Sequence, residues 1–360
     1  MWIFGLLMLT IYLGANGYLY WRLLSLLEST PMVVKVLFSL LFWVVALLLF
    51  VSIALRNVPL PAVVARAMFA VGSVWMVFLL YATLLMLLFD LLHRLIPMLH
   101  YGPYIALFIT LIIMVGGYLN YRHPRVRLVE IESERVGSPL RLVAISDVHL
   151  GHGTTRRDLA RYVDMINEQH ADVVVVAGDL IDNSIEPVRR ERMEEELARV
   201  NAPLGVLVVP GNHEYISGMD AYCRWVRKSE LTLVRDSLVA LSEDVVVVGR
   251  DDRSNAERRS LESLVAGVGD GRFMVVVDHQ PTAIDESVDL GADLHLSGHT
   301  HRGQVWPISW LTDAIYEQSH GHRLRGGCHV VVSQGLSLWG PPFRIGSQSE
   351  IYVIDIKPMS

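Results

Sequence analysis

The amino-acid sequence predicts two parts of different fold class, an N-terminal all-α bundle of four transmembrane helices and an α/β domain after it. Residues 1–121 are dominated by Leu, Val, Met, Phe and Trp, and only 19% of the 360 residues are charged. Residues 122–360 alternate short apolar runs with segments of helical spacing, which is typical of α/β domains. Polar blocks that contain His and Asp follow several of these runs.

Four N-terminal apolar runs are each long enough to cross a bilayer, which takes about 20 helical residues. The first run lacks the basic start and the small-residue cleavage site of a signal peptide, so we expect an uncleaved span. Near the end of the third run, Asp90 and Arg94 could pair at the membrane interface, but their position at a boundary favours solvated anchoring. The runs are Trp2–Tyr20, Val36–Leu55, Ala67–Phe89 and Pro103–Leu119.

The basic residues near the span ends favour a cytoplasmic C-terminal domain by the positive-inside rule. Four spans place both termini on one side of the membrane. That side holds five basic residues near the span ends, and the opposite side holds three. The five are Arg56, Arg66, Arg122, Arg125 and Arg127, and the three are Arg22, Lys35 and Arg94.

The domain organisation expected from these patterns is a transmembrane part at 1–121, a basic juxtamembrane linker at 122–139 and an α/β domain at 140–360. The net charge of -6 gives no indication of nucleic-acid binding, which usually needs a basic face. The two cysteines provide no disulfide framework.

Eight apolar runs in the second part read as strands, many of them apolar throughout, as expected where helices cover both faces. The predicted strands are Leu140–Ile145, Val173–Ala177, Val206–Val209, Val245–Val248, Phe273–Val277, Leu294–Leu296, His329–Val332 and Ile351–Ile356. The predicted helices between them are Arg156–His170, Pro187–Val200, Met219–Lys228 and Ala256–Val265.

Five polar blocks follow predicted strands, where the loops of an α/β domain gather at one edge. They read D-V-H, G-D-L, G-N-H-E, D-H-Q and G-H-T-H. Each block alone could be an ordinary turn, but all five at strand ends favour a two-metal site. Oxygen and imidazole donors without a thiolate suit Mn²⁺, Fe or Zn²⁺. The candidate residues are Asp147, His149, Asp179, Asn212, His213, His279, His299 and His301.

The spacing within the blocks suggests how they act. Residues i and i+2 of an extended strand end face the same side, which would let Asp147 and His149 share one metal. The two oxygens of Asp179 could bridge two cations. If Asn212 binds metal, its neighbour His213 points elsewhere and can serve as a proton donor or a phosphate contact.

Several other side chains have two interpretations. His152 could touch a substrate, or it could be an ordinary loop residue. His295, inside a strand, is expected to be a buried, hydrogen-bonded core residue. Trp306, Trp310 and Trp339 could lie at a membrane interface or hold an acyl chain, or they could be ordinary loop packing.

Together the blocks resemble the calcineurin-like metallophosphoesterase superfamily from Leu140 to Ile356. G-H-T-H-R-G-Q at 298–304 and S-Q-G-L…P-P-F-R-I-G at 333–346 are similar to membrane-associated bacterial phosphoesterases of the YkuE/YaeI type. Several relatives of that type act on phospholipids or nucleotide-linked lipid A precursors. The resemblance implies two packed mixed β-sheets flanked by helices, in a protein of the bacterial inner membrane.

The resemblance also implies roles for the candidate residues, with His213 as the acid that assists the leaving group and Asp179 as the bridge between two metals. Arg302 departs from the family pattern, where Gly is usual, and could contact phosphate or form a salt bridge. Arg344 could likewise reach a phosphate or form a structural ion pair. The first metal would be held by Asp147, His149, Asp179 and His301, and the second by Asp179, Asn212, His279 and His299.

The expected function is a membrane-bound dimetal phosphoesterase that cleaves a phosphodiester or pyrophosphate bond, with a lipid-linked phosphate as substrate. Two divalent ions are implied, with Mn²⁺ as first choice and Fe or Zn²⁺ as alternatives. The helical bundle could also form a homo-oligomer. The alternative is a membrane signalling or transport module whose phosphoesterase-like domain binds metal only for regulation.

Overall fold

The computed structural model of the protein describes residues 2–55, 58, 60–269 and 271–359. The chain forms two compact units. The helical unit contains Met1–Leu119 and Gly340–Ile345, and the α/β unit contains Asn120–Trp339 and Gly346–Ser360. The short segment from Gly340 is therefore grouped with the N-terminal helices, which the sequence did not predict.

The helical unit is built from long helices. Within the described part of the chain, three helices are long and apolar enough to cross a membrane, namely Met32–Ala54, Val63–Leu95 and Gly102–Arg122. The predicted count of four transmembrane helices exceeds these three. The first run is helical as predicted, but Asn16, Tyr18, Tyr20 and Arg22 make the second half of its helix more polar. The helices are α1 (Trp2–Ser25), α2 (Met32–Ala54), α3 (Ala62–Leu95) and α4 (Gly102–Arg122).

Polar side chains of α1 are paired within the helical unit. Asp90 accepts hydrogen bonds from Arg22 (2.7 Å) and Tyr18 (2.6 Å), so Asp90 pairs with α1 instead of with Arg94. The buried Asn16 accepts a hydrogen bond from the Trp75 indole at 3.0 Å. Three polar side chains of α1, Asn16, Tyr18 and Arg22, are therefore paired with α3, whereas Tyr12 and Tyr20 bond to α2.

The α/β unit contains two mixed six-stranded sheets. The first has the order β1 (Arg125–Ser133), β12 (Glu350–Pro358), β2 (Leu140–Ile145), β3 (Val173–Ala177), β4 (Val206–Val209) and β5 (Leu231–Leu233). The second has the order β10 (Gly321–Arg325), β11 (Cys328–Val332), β9 (Leu294–Ser297), β8 (Phe273–Val277), β7 (Val245–Gly249) and β6 (Ser237–Ala240). Within them, β2 to β5 run parallel, as do β7, β8, β9 and β11.

The two sheets pack face to face, and helices cover their outer sides. Leu142 and Val175 of the first sheet share a core with Val247 and Phe273 of the second. Separate apolar clusters hold the outer helices, which confirms the predicted two mixed sheets flanked by helices. The helices are α5 (Arg156–Asn167), α6 (Glu186–Arg190), α7 (Glu194–Leu197), α8 (Asn212–Ser217), α9 (Met219–Val226), α10 (Leu261–Val265), α11 (Ile284–Asp289) and α12 (Ile308–Ile315).

All eight predicted strands are present, and the differences lie in the more polar elements. The predicted helix Pro187–Val200 is two short helices, because Arg192 between them adopts φ 52°. The predicted helix Ala256–Val265 begins only at Leu261, after Ser260, whose side chain caps it. Strand β1 lies in the segment expected to be a basic linker and pairs in parallel with β12.

Candidate metal centre

The five polar blocks meet at one edge of the α/β unit. Three follow the carboxyl ends of β2, β3 and β4 in the first sheet, and two follow β8 and β9 in the second. Because these strands are parallel within each sheet and the sheets are packed together, their final loops converge. The structure thus brings together all eight residues proposed from the sequence.

One group of donors is formed by Asp147, His149 and His301, all of them buried. Nε2 of His149 lies 3.1 Å from Nε2 of His301 and 3.9 Å from Oδ1 of Asp147. Nε2 of His301 is 3.4 Å from the same carboxylate oxygen. Three donor atoms therefore point at one small volume.

A second group is formed by Asp179, Asn212, His279 and His299. Nε2 of His279 lies 3.2 Å from Oδ2 of Asp179, and Nδ1 of His299 lies 2.9 Å from Oδ1 of Asn212. Nδ1 of His279 donates to the carbonyl oxygen of Ala177 at 2.8 Å, which leaves the Nε2 lone pair facing the group. Oδ2 of Asp179 is also 3.8 Å from Nε2 of His149, so this carboxylate lies between the two groups.

The donor set fits divalent cations. Asp147, Asp179 and Asp182 are at most 7% exposed, and their ion pairs among the described residues are all to histidine. Nε2 of His279 is buried without a hydrogen-bond partner. Buried carboxylates that are paired only with imidazoles need further positive charge whenever those imidazoles are neutral, and divalent cations would supply it. A mixture of carboxylate, amide and imidazole donors suits Mn²⁺, Fe or Zn²⁺.

The backbone aims these side chains by a means the sequence argument did not anticipate. The i, i+2 explanation assumed extended strand ends, and for both pairs it is wrong. Asp147, His149, Asp179, His299 and His301 all adopt left-handed φ values, between 47° and 71°. Such values are uncommon for residues other than glycine and are often found at functional sites.

Two glycines are needed because other groups of the site approach them closely. A Cβ at Gly211 would overlap the carboxylate of Asp179 and lie 2.8 Å from the His279 ring. A Cβ at Gly298 would overlap the carboxylate of Asp147. In both blocks the glycine therefore makes room for a neighbouring candidate ligand.

Asp182 was not predicted as a site residue from the sequence, although its carboxylate lies beside His213 and His149. Its Oδ1 is 3.3 Å from Nδ1 of His213 and 3.6 Å from Nδ1 of His149. Burial alone would raise the pKa of Asp182, but the two imidazoles outweigh it and lower that pKa to about 2. Burial lowers the pKa of His213, whereas Asp182 raises it, and the net direction is upward. The available signal was the second Asp of G-D-L-I-D.

Glu214 was also missed, and it joins two of the loops. Its carboxylate accepts hydrogen bonds from the backbone N–H groups of Asp179 (3.1 Å), Ile181 (2.9 Å) and Gly211 (2.6 Å). Burial, and then the nearby charge of Asp179, raises the pKa of Glu214 to about 8. This residue fixes the loop after β3 against the loop after β4.

The four residues proposed as substrate contacts do not all lie together at the centre. His213 lies inside the centre, with its ring edge-on to that of His149 at 4.6 Å. Arg302 directly follows His301, is half-buried and adopts φ 49°. His152 is half-buried in the turn after the first block. Arg344 belongs to the helical unit, where its backbone N–H donates to the carbonyl oxygen of Gly117 at 3.0 Å. Its role as a phosphate contact stays a prediction.

A pocket of about 440 Å³ adjoins the second donor group. It is lined by residues 281–286 and 315–317. Pro281 is two residues after His279, and the ring of Tyr316 is 6.2 Å from that of His299. Arg325 pairs with two carboxylates of the lining, Asp285 and Glu317, each at 2.7 Å.

Two packed mixed sheets with paired groups of oxygen and imidazole donors at their carboxyl edge define a protein of the dinuclear metal-binding α/β class. Residues 140–303 match the family model described as Calcineurin-like phosphoesterase, and the chain thus carries a calcineurin-like metallophosphoesterase domain. Members of this superfamily are generally hydrolases of phosphoric esters, and the family uses a dinuclear divalent metal site.

Three relatives illustrate the range of similar chains. An uncharacterized metallophosphoesterase of Aquifex aeolicus is 28% identical over 70% of this chain and 98% of its own. A transmembrane protein with metallophosphoesterase domain of Danio rerio is 31% identical over 70% of this chain but only 62% of its own. The uncharacterized metallophosphoesterase YkuE of Bacillus subtilis is 28% identical over 67% of this chain and 90% of its own.

Proposed function

We propose that this protein is a membrane-bound dimetal phosphoesterase that hydrolyses a phosphodiester or pyrophosphate bond, with a lipid-linked phosphate as its substrate. The position of Asp179 between two groups of donors, with His213 and Asp182 beside them, carries this proposal. A purely structural metal site would have no need of an imidazole paired with a carboxylate next to its ligands.

The residues that would hold two divalent cations are those of the two donor groups, with Asp179 shared. When bound, the cations would lower the pKa of a water molecule and offset the charge of the phosphate oxygens. Mn²⁺ remains our first choice, with Fe or Zn²⁺ as alternatives. The left-handed backbone at five of these residues holds the donors in place before any ion arrives.

His213 is proposed to donate the proton that the departing oxygen needs. Because Nδ1 of His213 faces Asp182 at 3.3 Å, its Nε2 is directed away from this carboxylate. The carboxylate favours the protonated imidazole, and a general acid must begin the step in that form. Arg302 and His152 are proposed to contact the substrate, and Arg344 is retained as a third candidate.

The membrane part supports a substrate that resides in a bilayer, because a tethered enzyme meets lipid headgroups at high effective concentration. We propose that α1 is a fourth span, since its polar groups Asn16 and Arg22 are paired inside the helical unit. The side of the membrane on which the α/β unit lies depends only on α2 to α4. The count of basic residues near the span ends therefore favours the cytoplasmic face of a bacterial inner membrane, whether or not α1 spans. A homo-oligomer through these helices is part of the same proposal.

The alternative is a regulatory domain that binds metal without turnover. It would tolerate loss of ligands or of the acid, but all seven candidate ligands and His213 are present in this chain. We therefore favour the enzyme.

The decisive experiment measures hydrolysis of bis-(p-nitrophenyl) phosphate by the full-length protein in detergent, with and without Mn²⁺. We expect turnover that depends on metal. Asp179→Asn should lose both turnover and bound metal. His213→Ala should keep the metal and lose turnover at least about tenfold on a phosphodiester with an alkyl leaving group, with a smaller loss on the p-nitrophenyl ester. His170→Ala, an exposed histidine outside the centre, is the matched control. Two bound metals with no turnover on any phosphoester would support the regulatory alternative.

The lipid part of the proposal has its own test. The same preparation is given phospholipid and glycolipid phosphates in mixed micelles and, separately, soluble nucleotides. Good activity on nucleotides with none on any lipid phosphate would contradict a lipid-linked substrate while leaving the dimetal phosphoesterase intact.

A further inference from the structure

Helix α12 has the opposite arrangement of polar and apolar residues from a normal surface helix. Trp310 is 66% exposed, Leu311 57% and Ile315 64%, whereas the small polar Ser309 is only 5% exposed. An amphipathic helix on a water-soluble surface places its apolar residues inward. The apolar side of α12 is therefore left exposed by the described residues of the protein.

The exposed apolar residues of α12 and of the segment before it lie within ten positions of the chain. We define the α12 face as the side chains Trp306, Ile308, Trp310, Leu311 and Ile315, which are between 41% and 66% exposed. The indoles of Trp306 and Trp310 meet edge to face at 5.2 Å. The single carboxylate of α12, Asp313, is held by a hydrogen bond from Ser319. A contiguous apolar patch of this kind marks an interaction site.

Helix α12 is packed closely against the loop that carries His299 and His301. The start of α12 lies so close to Gly303 that a Cβ there would be 2.6 Å from the backbone of Ile308 and Ser309. Gly303 is two residues from His301, and the residue after α12, Tyr316, lies beside His299. Whatever covers the α12 face is thus held next to the candidate metal centre.

We propose that the α12 face is a bilayer-docking surface, which inserts its tryptophan and aliphatic side chains into the interfacial region of the membrane that the apolar helices span. Tryptophan is enriched at that depth of a bilayer, and apolar helix faces bind there in its plane. Only His123 and Pro124 separate the end of α4 from β1. The chain also passes between the units directly after Trp339, itself 55% exposed. The chain thus ties the α/β unit to the apolar helices at two places, and a bilayer is the partner that we assign to the α12 face.

This surface goes beyond the proposed function, because it requires no particular reaction and would exist in a regulatory domain as well. For an enzyme it has one consequence. Membrane contact at α12 keeps the edge of the metal centre at headgroup depth.

The test uses the full-length protein in phospholipid nanodiscs, with nitroxide labels on single cysteines introduced by Leu311→Cys or Ile315→Cys. The half-buried Cys223 is replaced by Ser, and the buried Cys328 is retained. Collisions of each label with oxygen, which concentrates in lipid, are compared with collisions with a water-soluble nickel chelate. Leu204→Cys, exposed at the amino end of β4, is the aqueous reference, and Leu84→Cys on α3 is the lipid reference.

We expect the oxygen-to-nickel ratio at both α12 positions to be several-fold above that of Leu204→Cys and to approach that of Leu84→Cys. A ratio equal to that of the aqueous reference would overturn the proposal. Low collision rates with both reagents, together with dipolar broadening between labels, would also overturn it and assign the α12 face to a second copy of this chain. Hydrolysis or its absence does not enter the measurement, so the two proposals fail separately.

Discussion

Oδ1 of Asp182 lies 3.3 Å from Nδ1 of His213 and 3.6 Å from Nδ1 of His149. One carboxylate thus orients both a candidate metal ligand and the candidate acid. Each imidazole with Nδ1 toward this carboxylate has its Nε2 directed elsewhere, and for His149 that atom faces His301 and Asp147. Asp182 is therefore a positioning residue, and its replacement should affect both metal binding and proton donation.

We expect Asp182→Asn to lower kcat by about 10²-fold at saturating Mn²⁺, because the amide cannot stabilise the protonated His213. The loss should be larger for a phosphodiester with an alkyl leaving group than for a p-nitrophenyl ester, since p-nitrophenolate departs without a proton. Steady-state kinetics on the two substrates, with metal content measured in parallel, provide the check.

The control for this prediction is Asp164→Asn, which removes a carboxylate with 58% side-chain exposure, paired with Arg199 away from the centre. It should leave both rates unchanged. Equal losses on the two substrates with Asp182→Asn would show that Asp182 acts only through metal binding and would contradict a role in proton donation.

Glu214 should matter for stability as much as for activity. Glu214→Ala would leave three buried backbone N–H groups without their acceptor, at a cost of about 1–3 kcal/mol each. We expect a loss of at least about 3 kcal/mol and a melting temperature lower by about 6–12 °C. Glu214→Gln keeps one acceptor oxygen and should lose less. Thermal unfolding in detergent, followed by tryptophan fluorescence, ranks the variants, and an unchanged melting temperature for the alanine variant would contradict this role.

Gly211→Ala should abolish metal binding. The added methyl would overlap the carboxylate of Asp179 and press on the His279 ring, so one donor of the second group must move. Gly137→Ala is the matched change elsewhere in the α/β unit, where the methyl meets only the Asp244 carboxylate at 3.1 Å. Metal analysis after gel filtration should show a depleted Gly211→Ala protein and a Gly137→Ala protein like wild type. A fully loaded Gly211→Ala protein would mean that the loops shift without penalty.

The apolar strands of the α/β unit were predictable because each is a short, nearly continuous run of Val, Ile or Leu, and burial on both faces requires that pattern. Strands β5, β6 and β10 were missed because they lie at or near sheet edges and are short or polar, as in Gly321–Arg325. Strand β1 was missed because its alternating charges read as a linker, although its pairing with β12 gives it a place in the sheet.

At the centre, the candidate ligands could be recognised because several weak blocks recur in a fixed order at strand ends. Their backbone geometry could not, since left-handed φ at residues such as Asp147 and His299 is imposed by packing and not by local preference. Asp182 was overlooked because a carboxylate in a turn is common, and only the fold shows that His213 and His149 face it. From the sequence alone, Trp306 and Trp310 at α12 fitted either loop packing or a membrane interface. The exposure of a side chain depends on the tertiary structure and could not be predicted.

His295 was expected to be a buried core histidine, and this is confirmed by its 1% exposure and by its two hydrogen bonds. Ser297 donates to the carbonyl oxygen of Asp278, so it accepts from Nε2 of His295, and Nδ1 accepts from Ser287 at 2.8 Å. The neutral imidazole is thereby satisfied. Burial, and then the charge of Arg250, lowers the pKa of His295 to about 3.

This depressed pKa makes the protein less stable in acid in a defined window. Below about pH 6.5 the unfolded chain binds a proton at His295 that the folded chain does not, so stability falls as the pH drops from about 6.5 toward 3. The loss should reach about 2 kcal/mol at pH 5, from roughly 1.4 kcal/mol per pH unit. His295→Gln keeps a donor for Ser297 and removes the titration. The difference in melting temperature between the wild type and His295→Gln, measured in detergent with chelator, should therefore be smaller at pH 5 than at pH 7.5. An equal loss of stability in acid for the two proteins would contradict the assignment.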